Sequence, residues 1–284
     1  MSTPVRPWQQ APIAWVLRAV FTDPWARIDA RERTERCGHV SARTATLITG
    51  ITMALMMVLL RFGVMDHEFQ RDFARGVAFV GGKIDPSWGA FGHKYYRLLS
   101  NVGWVVGCFG CYVAIPTLVA RFGMGLSPLD CYISPRGYAK QLPKYAALFL
   151  PVAVAVGLAV RDPEFLYQYP FYQDALGPLD QISWELAYAF QFFCLEFFFR
   201  GFALRGLSPE LGAMAAVVSM LPYCMIHFGK PLPECLGSIV AGLVLGTLAL
   251  DTRSIWGGVT IHVAVAWSMD LAALAHKHQL LNFQ

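Results

Sequence analysis

Apolar residues along this chain come in blocks long enough to cross a bilayer, which takes about 20 mostly apolar residues per helix. Three blocks fall in the first part, at 44–63, 101–120 and 143–160. Four more follow at 182–206, 210–228, 235–250 and 255–274. The pattern predicts seven spans, and connections that insert partly would add to them. The expected fold is all-α, a polytopic membrane helix bundle of about seven to eight transmembrane helices. No internal repeat or low-complexity tract interrupts the pattern. It divides the chain into an Arg-rich cytoplasmic or interfacial segment at 1–43, transmembrane helices and loops at 44–180, a membrane core at 181–275 and a short tail at 276–284.

Composition agrees. The 284 residues are 56% hydrophobic and 15% charged, against about 25% charged in soluble domains. That excludes the two soluble domains the length alone would allow. The net charge of +4 does not point to nucleic acid, because the basic residues lie mainly outside the apolar blocks, as in a membrane protein with a charge-biased orientation. Residues 1–43 carry Arg6, Arg18, Arg27, Arg31, Arg33, Arg36 and Arg43 against Asp23, Asp29, Glu32 and Glu35. The 121–144 loop carries Arg121, Arg136, Lys140 and Lys144 against Asp130. Both are expected in the cytoplasm. The 161–181 loop, with Arg161 against Asp162, Glu164, Asp174 and Asp180, is expected outside.

Two connections do not fit so simply. Residues 64–100 hold five Lys/Arg in a segment the rule would place outside. Their stretch "DHEFQRDFARGVAF" suits either an amphipathic interfacial helix or a solvated loop. The aromatic, acidic stretch 158–181 reads as an interfacial loop. The Arg-rich start lacks the apolar core of a signal peptide. Most of the seven cysteines fall within apolar blocks, so no disulfide framework is expected. The "GCFGC" pair Cys108 and Cys111 has redox spacing, but small residues easing helix packing is the simpler reading.

The few polar groups inside the C-terminal blocks carry the chemistry. In "CLEFFFRGF", Glu196 and Arg200 stand four residues apart, the spacing of a helical ion pair. Ionisable groups at membrane depth are costly and usually mark function. His227 ends the next block in "LPYCMIHFGKPLPE", where Pro222, Gly229, Pro231 and Pro233 loosen or stop the helix, and Lys230 and Glu234 follow. His262 lies inside the last block and needs a partner from another helix. Asp270 is eight residues on. A carboxylate with imidazoles is a toolkit for activating water. A buried ion pair that merely locks helices is the structural alternative.

The three segments "EFFFRGF" (196–202), "YCMIHFGKP" (223–231) and "GGVTIHVAVA" (257–266) resemble the ordered motifs of the CAAX-processing and bacteriocin-processing (CPBP) intramembrane endopeptidases. The resemblance covers residues 180–270. It implies hydrolysis of a peptide bond within or beside a bacterial inner membrane, with Glu196, Arg200, His227 and His262 in the site. It implies either zinc held by Glu196, His227 and His262 or a metal-free, glutamic-type mechanism. Two departures stand out. The family begins its first motif with paired glutamates, and Leu195 occupies the leading position. Ala266 stands where the third motif carries a polar residue. Three accounts follow: Glu196 is the base by itself, Glu234 supplies the missing carboxylate with Asp270 replacing the polar group, or the chain is a non-catalytic relative. The expected partners are lipid and a protein or peptide substrate. The competing class is a membrane scaffold, immunity protein or small transporter. Simple alternating spans put His227 near the face opposite Glu196, so a shared site requires a short or broken Pro222 span or an inward dip at 228–235, and the dip is expected.

Overall fold

In the computed structural model, residues 18–135 and 138–282 are described; Arg6 and Arg136, used in the orientation reading, lie outside them. No strand occurs among the described residues, and six helical runs are long and apolar enough to cross a membrane: Ala42–Val64, Tyr96–Met124, Tyr138–Ala159, Pro178–Met225, Leu232–Thr252 and Trp256–Lys277. The protein is therefore an all-helical integral membrane protein. Six runs stand where the sequence predicts seven spans, because the blocks 182–206 and 210–228 lie in one run of 48 residues. Its last piece, Ala215–Met225, is 11 residues long. At about 1.5 Å per residue it reaches only about half way across the ~30 Å hydrocarbon core, so the Pro222 segment is short.

The chain forms two compact units, each built from three stretches. The first comprises the described residues of Met1–Met53, Thr117–Gly137 and Phe199–Ile255. Here the helix Asp23–Glu32, opened by Asp23 and Pro24, packs on the Leu232–Thr252 helix. Arg31 donates to the carbonyls of Leu250 and Asp251, placing a cation at the negative end of that helix. Trp25 Nε1 donates to Thr247 Oγ1 at 3.0 Å. Glu32 is fully buried and accepts from Ser208 Oγ (2.8 Å), Arg31 Nε (2.9 Å) and Arg253 (3.2 Å). Burial pushes its carboxyl up, but the Ser208 and Arg31 hydrogen bonds and the charges of Arg253 and Arg31 outweigh this and hold it below the usual range. Gly242 and Gly246 let Leu232–Thr252 approach Met220, Tyr223 and Ala216 closely.

The second unit comprises the described residues of Ala54–Pro116, Tyr138–Phe198 and Trp256–Gln284. Its connection 66–94 is a helical hairpin, His67–Ile84 and Pro86–Lys94. The two helices are capped by Asp66 and Asp85, which accept from Glu68 N (2.9 Å) and Ser87 N (2.8 Å). Helix Pro178–Glu196 packs against Tyr96–Phe109 and Trp256–Asn282, and Tyr138–Ala159 packs against Trp256–Asn282. An aromatic core of Trp104, Phe171, Trp184 and Tyr188 fills the unit, with Trp184 and Tyr188 centroids 5.1 Å apart. The 160–177 connection holds a short helix, Pro163–Gln168, and is tied down at two points. Phe171 N–H donates to Asp270 (2.9 Å), and Tyr172 O–H donates to Asp180 (3.0 Å).

Candidate active site

Glu196 is the last residue of the Pro178–Glu196 helix and His262 lies in the second turn of Trp256–Asn282. The second unit brings them together: His262 Nδ1 lies 2.8 Å from Glu196 Oε1. The Glu196 side chain is 0% exposed and the His262 side chain 13%. Gly258, one turn before His262, presses its backbone against the carboxylate, and a Cβ there would collide with Glu196 Oε2. Phe192, one turn before Glu196, stacks parallel on the imidazole, with centroids 5.6 Å apart and planes 3° from coplanar. Two helices thus each contribute an i, i+4 pair, Phe192/Glu196 and Gly258/His262, and the four residues interlock. The neighbouring Gly257 lies against the Tyr145 ring in the same way.

Arg200 and His227 lie in the first unit. Arg200 sits in a π-helical turn, Phe197–Ala203, a distortion frequent at functional sites. Its guanidinium lies over the Tyr223 ring, 4.1 Å from the centroid, a stabilising cation–π contact. Tyr223 also meets the His227 ring edge-on at 4.8 Å. His227 Nδ1 bonds the Tyr223 carbonyl at 2.9 Å; a carbonyl only accepts, so Nδ1 carries the hydrogen. His227 follows the end of its helix, as the sequence predicts, in a turn closed by Gly229 at φ +95°. Glu234 is not in a free loop. Pro231 and Pro233 start the Leu232–Thr252 helix around it, and it pairs with Lys230 at 3.6 Å across one turn. Cys235 Sγ–H donates to the His227 carbonyl at 2.8 Å and holds the same turn.

Both departures from the family pattern are apolar contacts here. Leu195 is buried, and Ala266 belongs to the aromatic core with Trp184 and Tyr188. Asp270 is fully buried and accepts from Phe171 N–H. The residues not singled out from sequence are Phe192, Gly258 and Tyr223. Each stands one helical turn before a predicted site residue, and that i−4 position is the signal that would have found them.

Among the described residues no three His, Cys, Asp or Glu side chains gather to hold a metal ion. Glu196 Oε1 and His262 Nδ1 lie 2.8 Å apart. A catalytic zinc takes three protein ligands and leaves one position for water. What remains is a carboxylate–imidazole pair able to hold and move a proton, and a guanidinium and second imidazole ordered around Tyr223.

No curated protein and no solved structure is significantly similar to the chain. A family model does match, over residues 181–268, and its description is Type II CAAX prenyl endopeptidase Rce1-like. The matched stretch contains Glu196, Arg200, His227 and His262. The motif resemblance is borne out there: residues 181–268 of this membrane protein carry the pattern of the Rce1-like CAAX proteases.

Proposed function

We propose that the protein is an intramembrane endopeptidase that hydrolyses a peptide bond near the C-terminal or membrane-embedded part of a protein or peptide substrate. The observation that carries this reading is the enclosed Glu196–His262 pair at 2.8 Å. Hydrolysis needs a proton acceptor for water, held where little water competes, and such a group contributes about 10²- to 10⁴-fold. Arg200 and His227 serve as donors to the oxyanion that forms on the substrate carbonyl. Their support is the order and spacing of the three motifs and their shared seating on Tyr223. Glu234, spent on Lys230 at a helix start, holds the turn after His227 and is not the base. The Arg-rich N-terminal segment supports an N-terminus in the cytoplasm of a bacterial inner membrane.

A non-catalytic scaffold or immunity protein is the second reading, favoured by the complete burial of Glu196, since an enclosed pair also locks two helices. Glu196→Gln and His262→Gln separate the two. Assayed in membranes, the peptidase reading expects cleavage to fall by at least about 10²-fold at normal protein abundance. A lock expects abundance to fall instead, because breaking a buried pair costs about 3–5 kcal/mol. Comparing the C-terminal peptides of membrane proteins with and without this chain identifies the substrate.

A further inference from the structure

We infer that the first unit binds an anionic phospholipid where the Ala42–Val64 run begins and the Tyr96–Met124 run ends. Arg36, Arg43 and Arg121 take its phosphate, and Leu47 and Phe122 take an acyl chain. This is independent of the peptidase reading. The two runs meet through the turn before Ala42. His39 N–H donates to the Met124 carbonyl at 3.0 Å, and Gly38, at φ +62°, lies so close to that carbonyl that a Cβ would overlap it. Arg205 donates to the Arg36 carbonyl at 2.6 Å and holds the same turn. Both runs have the length and hydropathy to cross a membrane, so ends that touch lie at one face of the bilayer, at headgroup depth. Arg36, Arg43 and Arg121 are all exposed there.

Deeper in the membrane the surface turns apolar. Leu47, one turn in from Arg43, is 64% exposed, and Phe122 is 77% exposed. Ile48 faces Gly123 across the helix pair, 3.8 Å from where a Cβ on Gly123 would sit. In antiparallel helices of 3.6 residues per turn, the residues just before a facing pair point to the same side. Leu47 and Phe122 are those residues, so they wall one shallow crevice floored by Ile48 and Gly123. A soluble anion would match the arginines alone, whereas a phospholipid matches both the charge and the crevice. Charge selects an anionic lipid, because the acids near this end are engaged. Glu35 pairs with Arg253 at 2.6 Å, and Asp130 accepts from the Ser127 N–H and hydroxyl. Glu210 pairs with Arg43 at 3.4 Å, but Arg43 stays 88% exposed, and so exposed a pair is weak enough to yield to a phosphate. Each arginine near an anionic headgroup strengthens association about fivefold, on the order of 10²-fold for three.

The test titrates the full chain in detergent with phosphatidylglycerol and with phosphatidylcholine of the same acyl chains, counting bound lipid by native mass spectrometry. Phosphatidylglycerol is expected to bind at least about tenfold more tightly. Raising the salt from about 0.05 M to about 0.5 M is expected to shrink that preference in the wild type, a readout that needs no variant. The triple variant Arg36→Gln, Arg43→Gln, Arg121→Gln is expected to bind the two lipids alike, and the same three changes to Lys to keep the preference. Leu47→Ala with Phe122→Ala is expected to weaken both lipids by at least about fivefold. Glycerol 3-phosphate, a headgroup without chains, is expected not to compete. A wild type that binds both lipids equally, or whose preference is indifferent to salt, overturns the inference. So does a triple glutamine variant that keeps the preference while folded by circular dichroism, or a Leu47→Ala, Phe122→Ala chain with unchanged affinities. Competition by glycerol 3-phosphate at equal concentration overturns it in favour of a soluble anion. A dimer that Phe122→Ala returns to monomer overturns it in favour of a second copy of the chain.

Discussion

Gly258 and Glu196 meet backbone to carboxylate, so closely that a methyl group at 258 would occupy the space of Glu196 Oε2. Glycine is required here for lack of a side chain and not for any special backbone angle. Gly258→Ala should displace the carboxylate and lower cleavage by about 10²-fold, the cost of a misplacement of roughly 1 Å. Shortening the acid by one methylene should make room. Gly258→Ala with Glu196→Asp is therefore expected to exceed the Gly258→Ala single variant in activity, as measured by initial rates at equal protein. A double variant no better than the single one would mean that the close approach has no bearing on activity.

Tyr223 meets both the Arg200 guanidinium and the His227 ring with its own ring. Tyr223→Phe should stay within about 1 kcal/mol of wild type, whereas Tyr223→Leu should lose roughly 2 kcal/mol or more from the desolvated cation–π contact. Thermal unfolding in detergent separates them. Equal losses in the two variants would shift the weight to the hydroxyl.

Acid should loosen the N-terminal helix. Glu32 is held below the ordinary carboxylate range, so the folded state binds its proton less readily than the unfolded one. Its contribution is fully present above the unfolded value, about 4.3, and is lost as pH falls through the folded value. Amide protection factors over 23–36, taken against the intrinsic exchange rate at each pH, should fall as the pH drops below about 4. Glu32→Gln should show raised exchange already at pH 7 and a weaker dependence on acid. Protection factors indifferent to pH in the wild type would count against the Glu32 cluster as the fastening.

The hairpin 67–94 depends on small residues. A Cβ on Gly92 would strike Ala78, so Gly92→Val should cost about 1–3 kcal/mol through overpacking. A far smaller shift in thermal unfolding would mean that the two helices part easily.

The membrane runs were legible because a bilayer imposes length on apolar blocks. The boundary inside Pro178–Met225 was not. Gly206, Ser208 and Pro209 look like the break between two spans, yet the helix continues to Leu211 and stops at Gly212, where φ is +57°. The reason is long-range: Asp29 accepts from Ala213 N–H at 2.7 Å, and Gly206 packs on Thr49. A cap supplied from far back in the chain leaves no local trace. The same limit applied to the site. Helical spacing paired Glu196 with Arg200, and the apolar block around His262 called for a partner from another helix, but no spacing names Glu196 as the group 2.8 Å from it. The i, i+4 expectation for Glu196 with Arg200 presumed a regular helix. The π turn that begins at Phe197 departs from that geometry.

The interleaving of the two units bears on how this protein is made. Each draws on an early, a middle and a late stretch, so the polypeptide passes between them at residues 53, 116, 137, 198 and 255. Neither can close while the ribosome is still translating its last contribution, and the earliest helices must wait in the membrane for partners synthesised long afterwards. The family-matched stretch 181–268, produced by itself, would emerge without Arg31, Glu32 or Asp29, and an excised fragment should therefore be a substrate for quality-control proteases before it could act as a protease itself.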